Sequence, residues 1–284
     1  MPKSRTGSAG GAGVPPQVGS ARRPNIIVCV LDALRQDHVT AYGYARDTTP
    51  NVSAFAQQAV VYDNAYAAGV WTRPSVASLF TGVYSSLHHA KWITDALSPA
   101  NVLLSEVLQE AGYFTCAAAW NGNLDPVYGF RQGWDEYNCE YAPIRPLRAR
   151  IGEIRQMLAR GKSSRKPIFL YVHAVEPHAP YQAPSDYVDR YDPGYRGLAD
   201  GTVEQLDGIL GGRYFATPRD IEHLVAMYDA YIRLGDEGFG ALLELLKSLG
   251  LYENSIIIFT SDHGEAFWEH QSLQHGKVVY EEEA

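Results

Sequence analysis

Four short runs of nearly unbroken apolar residues constrain this chain more than any other feature: NIIVCVL (25–31), YFTCAAAW (113–120), PIFLYVHAV (167–175) and SIIIFTS (255–261). A strand with one face in water alternates apolar and polar residues, so continuous hydrophobicity predicts strands covered on both faces. Helical patterns lie between the runs. TPNVSAFAQQA (49–59) opens on a threonine placed to cap and a proline suited to a first turn. SPANVLLSEVLQEAGY (98–113) gathers Leu103, Leu104, Val107 and Leu108 on one side and stops at Gly112. A longer stretch over 219–250 carries Gly235 and Gly238, which are expected to interrupt or bend it. Strands alternating with helices predict an α/β fold with a largely parallel sheet.

Such sheets bind ligands beyond the carboxyl ends of their strands, and polar residues gather there. Asp32 follows the first run, Asn121 and Asn123 the second, His173, Glu176 and His178 close the third, and Asp262 and His263 follow the fourth. Asp32, Asp262 and His263 supply two carboxylates and an imidazole, a donor set for one divalent metal ion. The histidine favours Zn or Mn, while the oxygen donors also suit Ca or Mg. Thr72, in AGVWTRPSVASLFTG (68–82), stands just ahead of an apolar helical run. It reads either as a helix cap or as a nucleophile whose hydroxyl a neighbouring cation would activate. Ser75, within the first helical turn, is the alternative hydroxyl. His178 and His275 are placed to contact a substrate oxygen or to protonate a leaving group.

Charge narrows the partners. With Lys3, Arg5, Arg22 and Arg23 set aside in the leading segment, residues 24–284 carry a net charge of −12. So acidic a body argues against nucleic acid, although a local basic pocket for an anionic substrate is compatible with it. Residues 1–23 lack apolar periodicity and are expected to be a disordered tail without a secretory signal. Residues 24–284 are then expected to form one domain. No apolar run of about 18 residues occurs, so no integral membrane segment is expected. Of the three cysteines, Cys29 and Cys116 fall in apolar runs and Cys139 does not, which predicts reduced thiols and a cytoplasmic setting.

PNIIVCVLDALRQDHVTAYGY, TTPNVSAFAQQAVVYDNAYA, WTRPSVASLFTGVYSSLHH, FLYVHAVEPHAPY, GLYENSIIIFTSDHGE and HGKVVYEE follow one another in the chain. In this order the sequence resembles the sulfatase-like branch of the alkaline phosphatase superfamily, from about Pro24 to the last residue. The resemblance implies a three-layer sandwich, with a mostly parallel central sheet and helices on both faces. It implies Asp32, Thr72, Asp262 and His263 as metal ligands, Thr72 as nucleophile, and His178 and His275 against the transferred group. Arg73, Asn121 and Lys277 are implied on the substrate. Relatives continue into another strand and a smaller domain, so the chain is expected to be incomplete at its C-terminus.

Departures from the family pattern bear on chemistry. Sulfatases carry a Cys or Ser that becomes formylglycine, followed by x-Pro-Ser-Arg; this chain has Thr72-Arg73-Pro74-Ser75-Val76. Ala33 stands at a second aspartate position, and Trp120 and Gly122 stand where sulfatases keep Lys and His. An ester of formylglycine hydrate can collapse to an aldehyde, whereas a threonine ester must be displaced at phosphorus or sulfur itself. The expected function is a metal-dependent hydrolase, or a phosphotransferase, of phosphate esters in preference to sulfate esters. A sulfatase proper is the alternative, and an inactive relative that binds an anionic ligand or a partner is an alternative of another class.

Overall fold

The computed structural model describes residues 23–284; the tail expected over 1–23 lies outside them except for its last residue. Five strands, β1 (Asn25–Asp32), β2 (Phe114–Ala119), β3 (Glu136–Asn138), β4 (Ile168–Pro177) and β5 (Ser255–Ser261), form one sheet in the order β3-β2-β4-β1-β5. Every neighbouring pair is parallel. The four apolar runs are the four long strands. The short edge strand β3, Glu-Tyr-Asn, has no apolar run and left no such signal. The helices among the described residues are α1 (Pro50–Ala56), α2 (Thr72–Thr81), α3 (Ser85–His88), α4 (Leu104–Glu110), α5 (Leu147–Ser163), α6 (Ser185–Tyr191), α7 (Val203–Leu210) and α8 (Pro218–Ser248).

Alternation along each strand splits the interior into two cores. Ile27, Cys29, Leu31, Leu170 and Val172 face α5 and α8, meeting Ile154, Leu158, Phe239 and Leu242. Val28, Val30, Ala117, Phe169 and Tyr171 face the other way, toward Val76, Ala77 and Phe80 of α2. The result is a three-layer α/β sandwich. The fourth run departs from expectation on one side. Ile257 and Phe259 join the first core, but Ile256 and Ile258 are 51% and 44% exposed. β5 is an edge strand, and its second face opens on a groove of about 890 Å³ between Ile258, Leu79, Val61 and Tyr62.

Two helix expectations are corrected by packing. α8 runs unbroken through Gly235 and Gly238. A Cβ at 235 would lie 3.0 Å from Leu31 Cδ1, and one at 238 would lie 2.7 Å from Leu147 Cβ. These glycines let the helix approach β1 and α5 rather than breaking it. Gly238→Ala should therefore lower stability by about 1–3 kcal/mol, overpacking outweighing the roughly 1 kcal/mol gained in helix propensity. Denaturant titration checks the sign, and a stabilised variant would contradict the close approach. Thr49 is the second correction. Its Oγ1 accepts from Thr40 N at 2.8 Å and makes no cap bond. Asp236 of α8 accepts from Asn51 N and Val52 N instead, at 3.0 and 2.8 Å.

Cys29 and Cys116 are buried free thiols and Cys139 is partly exposed. Among the described residues no helix is long and apolar enough to cross a membrane.

Candidate functional site

Strand parity assembles the site. Asp32 continues the Val28, Val30 alternation of β1, and His173 continues Phe169, Tyr171 in β4. Asn121 follows Ala117 and Ala119 past β2, and Asp262 follows Ile256 and Ile258 past β5. All four fall on the face that α2 covers, at the carboxyl edge of the sheet, where α2 begins. There Trp71 occupies the cap position without a side-chain cap bond, and Thr72 is the first helical residue. The hydroxyl of Thr72 is thus free of capping. It is 1% exposed and lies 3.4 Å from His263 Nε2 and 3.3 Å from Asn121 Nδ2. Ser75 Oγ donates to the Asp262 carbonyl at 2.5 Å, so the alternative hydroxyl ties α2 to the end of β5.

The carboxylates are oriented one oxygen at a time. Asp32 Oδ2 accepts from Asn121 Nδ2 at 2.5 Å and lies 3.2 Å from His173 Nε2. Asp262 Oδ1 accepts from Ala33 N at 3.3 Å. The remaining oxygens, Asp32 Oδ1 and Asp262 Oδ2, are buried without a hydrogen-bond partner. His263 Nδ1 donates to the Gly264 carbonyl at 2.9 Å. Its Nε2 therefore turns to those two oxygens, at 3.3 and 3.5 Å. One ligand atom each from Asp32, Asp262 and His263 lies within 4.8 Å of the others. Orphaned anionic oxygens are expensive to bury, and a divalent cation among them would satisfy both. The residues present fit such an ion. Ala33, at the position of a second aspartate, contributes backbone only. It is held at φ 63, with its N–H on Asp262 and its carbonyl accepting from Tyr228 OH at 2.6 Å.

Burial alone would raise the Asp32 carboxyl, but His178, His173 and His263 outweigh it and hold it well below the usual range. Burial likewise opposes charge on His263, yet Asp262 and Asp32 raise it to about 10 when no cation competes.

Two further imidazoles sit beside this cluster. The His178 and His275 rings are 4.8 Å apart, and His275 is 4.2 Å from the His263 ring. His178 Nδ1 donates to the Ala179 carbonyl, and His275 Nδ1 donates to Glu265 Oε1 at 2.9 Å. Both outer partners are acceptors, so each ring carries its proton on Nδ1 and leaves Nε2 for a substrate. Burial and the neighbouring His263 lower the His275 pKa against the pull of Glu265, which keeps the ring neutral. Glu265 is fully buried; burial raises it, but His275 brings it below the ordinary value, so it stays ionised.

The implied substrate contacts of Arg73 and Lys277 are engaged elsewhere. The Arg73 guanidinium lies 3.5 Å from the Tyr128 ring centroid, with Nη1 donating to the carbonyls of Ile93 and Asp95 and Nη2 reaching Asn123 Oδ1. It clamps the loop after α3, and only Nε is without a partner. Lys277 Nζ donates to the Leu273 carbonyl at 3.1 Å. Asn121 is turned toward Asp32 and Thr72 because its Oδ1 accepts from Asn123 N at 2.7 Å. Sequence reasoning assigned no role to His173, Tyr171 or Glu265. The first two share parity with Phe169 in the third run, a signal that was available.

Glu176 is a buried acid behind the site. Its Oε1 accepts from Leu147 N at 2.7 Å, at the start of α5, and its Oε2 has no partner. Burial pushes its pKa up to about 7, against the pull of Arg150. A folded pKa above the unfolded one gives stability that is full below about 4.5 and lost as pH rises through about 7. Glu176→Gln should consequently stabilise the protein by about 3 kcal/mol above neutrality and by little under acid conditions. Urea midpoints at the two pH extremes test this; equal shifts at both would contradict it.

The Sulfatase family description matches residues 24–283. An ulvan-active sulfatase from Formosa agariphila is 29% identical over 280 residues, covering 86% of this chain and 51% of the relative. Human N-acetylgalactosamine-6-sulfatase is 24% identical over 299 residues, covering 87% of this chain and 51% of the relative. This chain thus spans about half the length of these relatives. Among solved structures, the phosphonate monoester hydrolase of Agrobacterium radiobacter superimposes with a TM-score of 0.73 at 20% identity, over 90% of this chain and 66% of that one. Because the Sulfatase family match spans residues 24–283, nearly all the described residues, the chain belongs to the sulfatase family.

Proposed function

We propose that this chain carries a metal-dependent ester hydrolase site in which Thr72 is the nucleophile, acting on phosphate mono- or diesters in preference to sulfate esters. The observation that carries the reading is the buried, non-capping Thr72 hydroxyl beside the Asp32–Asp262–His263 cluster. Asp32 Oδ1, Asp262 Oδ2, His263 Nε2 and Thr72 Oγ1 would hold the ion, with Zn or Mn best matched to two carboxylates, an imidazole and an alcohol. When bound, the cation supplies Lewis-acid stabilisation to the ionised alcohol and to the substrate oxygens.

Chain residues do the remaining work. As the Oγ1–P bond forms, the bond to the departing alcohol breaks; His178 Nε2, without a proton at the outset, takes up the Thr72 proton, donates with it to the transferred oxygens and passes it to the departing oxygen. Neutral His275 suits the second step, accepting a proton from the water that releases Thr72. Side-by-side kinetics on an aryl sulfate, an aryl phosphate and an aryl phosphodiester, with zinc- or manganese-loaded protein, test the preference. Phosphate turnover should exceed sulfate turnover by about 100-fold or more, a difference of roughly 3 kcal/mol in barrier. Mass spectrometry of quenched reactions should locate phosphate on Thr72. The relatives' names favour a second reading, sulfate ester hydrolysis. Faster turnover of the sulfate would select it.

A further inference from the structure

The buried pair Tyr171–His173 lies outside the four ligand atoms, yet it touches one of the ligands. Tyr171 is 1% exposed and its OH lies 2.8 Å from His173 Nδ1; His173 is fully buried and its Nε2 lies 3.2 Å from Asp32 Oδ2. The hydrogens can be placed by elimination. Asp32 Oδ2 is an acceptor only, so a hydrogen bond there requires the proton on Nε2. In the neutral ring Nδ1 is then an acceptor, and the phenol, a donor by nature, supplies its hydrogen. His178 and His275 are tied through Nδ1 to a carbonyl and a carboxylate acceptor, which gives them the opposite tautomer.

We infer that Tyr171 and His173 are positioning residues: the phenol holds the imidazole in its Nε2–H form, and that N–H fixes Asp32 so that Oδ1 is presented to the cation. Asn121 Nδ2 reaches the same Oδ2. Two donors on one oxygen lock the carboxylate rotation and leave the other oxygen unpaired. His173 is 3.9 Å from Asp262 Oδ2, the longer of its two carboxylate approaches, which agrees with an orienting role on Asp32. Outer groups that orient a metal ligand typically change affinity by about 10–100-fold when removed. The inference rests on the proposed metal site, but its proton placement does not.

Long-range proton–nitrogen correlation NMR on histidine-labelled full chain reads that placement directly, in metal-free and zinc-loaded protein. His173, assigned by its loss in His173→Gln, should carry a proton on Nε2 in both states, whereas His178 and His275 carry theirs on Nδ1. Tyr171→Phe, which removes one oxygen from an otherwise unchanged ring, should weaken that preference and lower zinc affinity by about tenfold in chelator competition. Circular dichroism establishes that each variant is folded. An unprotonated His173 Nε2 would overturn the inference and make His173 a ligand. Zinc affinity unchanged in both folded variants would also overturn it. A wild-type chain that binds no zinc, but shows Nε2–H at His173, would refute the metal reading while leaving the Tyr171–His173–Asp32 arrangement in place.

Discussion

Thr72→Ala will lower kcat/KM for the preferred aryl phosphate by at least about 10⁴-fold with zinc saturating, as loss of a nucleophile does in other covalent hydrolases. The reason is local. Ser75, the alternative hydroxyl, cannot take over, because its Oγ donates to the Asp262 carbonyl. Thr72→Ser keeps the oxygen and loses only the methyl group, so it should retain activity within about tenfold. Saturating metal matters to the comparison, since Thr72 is also a proposed ligand. Initial rates for the two variants, together with the mass of any trapped phosphoprotein, decide the matter. Full activity in the alanine variant, or phosphate found on another residue, would remove Thr72 from the chemistry.

Asp262→Asn is expected to separate metal binding from folding. Asp262 Oδ2 lies within 4.8 Å of the Asp32 ligand oxygen and 3.5 Å from His263 Nε2. At an effective dielectric of about 20, the repulsion and the attraction are each roughly 3–5 kcal/mol and nearly cancel. Metal-free stability should therefore change little. Zinc binding is another matter, because the variant has lost an anionic ligand, and affinity should fall by more than about 100-fold. Zinc at about 1,000 times the wild-type Kd would stabilise the wild type by roughly 4 kcal/mol and the variant by about 1.4 kcal/mol or less. Thermal unfolding with and without zinc measures both quantities. Equal zinc stabilisation in the two proteins would show that the ion, if bound, lies elsewhere.

Much of the site's location was readable before any coordinates. Continuous hydrophobicity identified all four long strands, and polar residues at their carboxyl ends placed the chemistry on one edge. The candidate metal-ligand trio follows from residue types and order, and the structure brings those three together. What was not readable has physical causes. β3 pairs along only three residues, Cys116 to Ala118 opposite Glu136 to Asn138, and owes its existence to β2 rather than to its own composition. Arg73 reads in the sequence as a stand-in for the family arginine that Val76 replaces. Its guanidinium finds the Tyr128 ring and the loop carbonyls of Trp92, Ile93 and Asp95, partners supplied by segments about 20 to 55 residues away.

The sequence by itself determined the α/β class, the parallel strands and the donor set, because hydrophobic periodicity and residue chemistry are local properties that survive folding. It also determined that any ester at Thr72 must leave by displacement, since that follows from the side chain alone. Only the tertiary structure decided that Gly235 and Gly238 serve close packing, that Asp236 rather than Thr49 caps α1, and that His173 faces Asp32 with Tyr171 behind it. Each of these depends on what a distant segment offers at contact distance. A hydrogen bond or a steric limit between residues far apart in the chain has no signature in either partner until the backbone has brought them together.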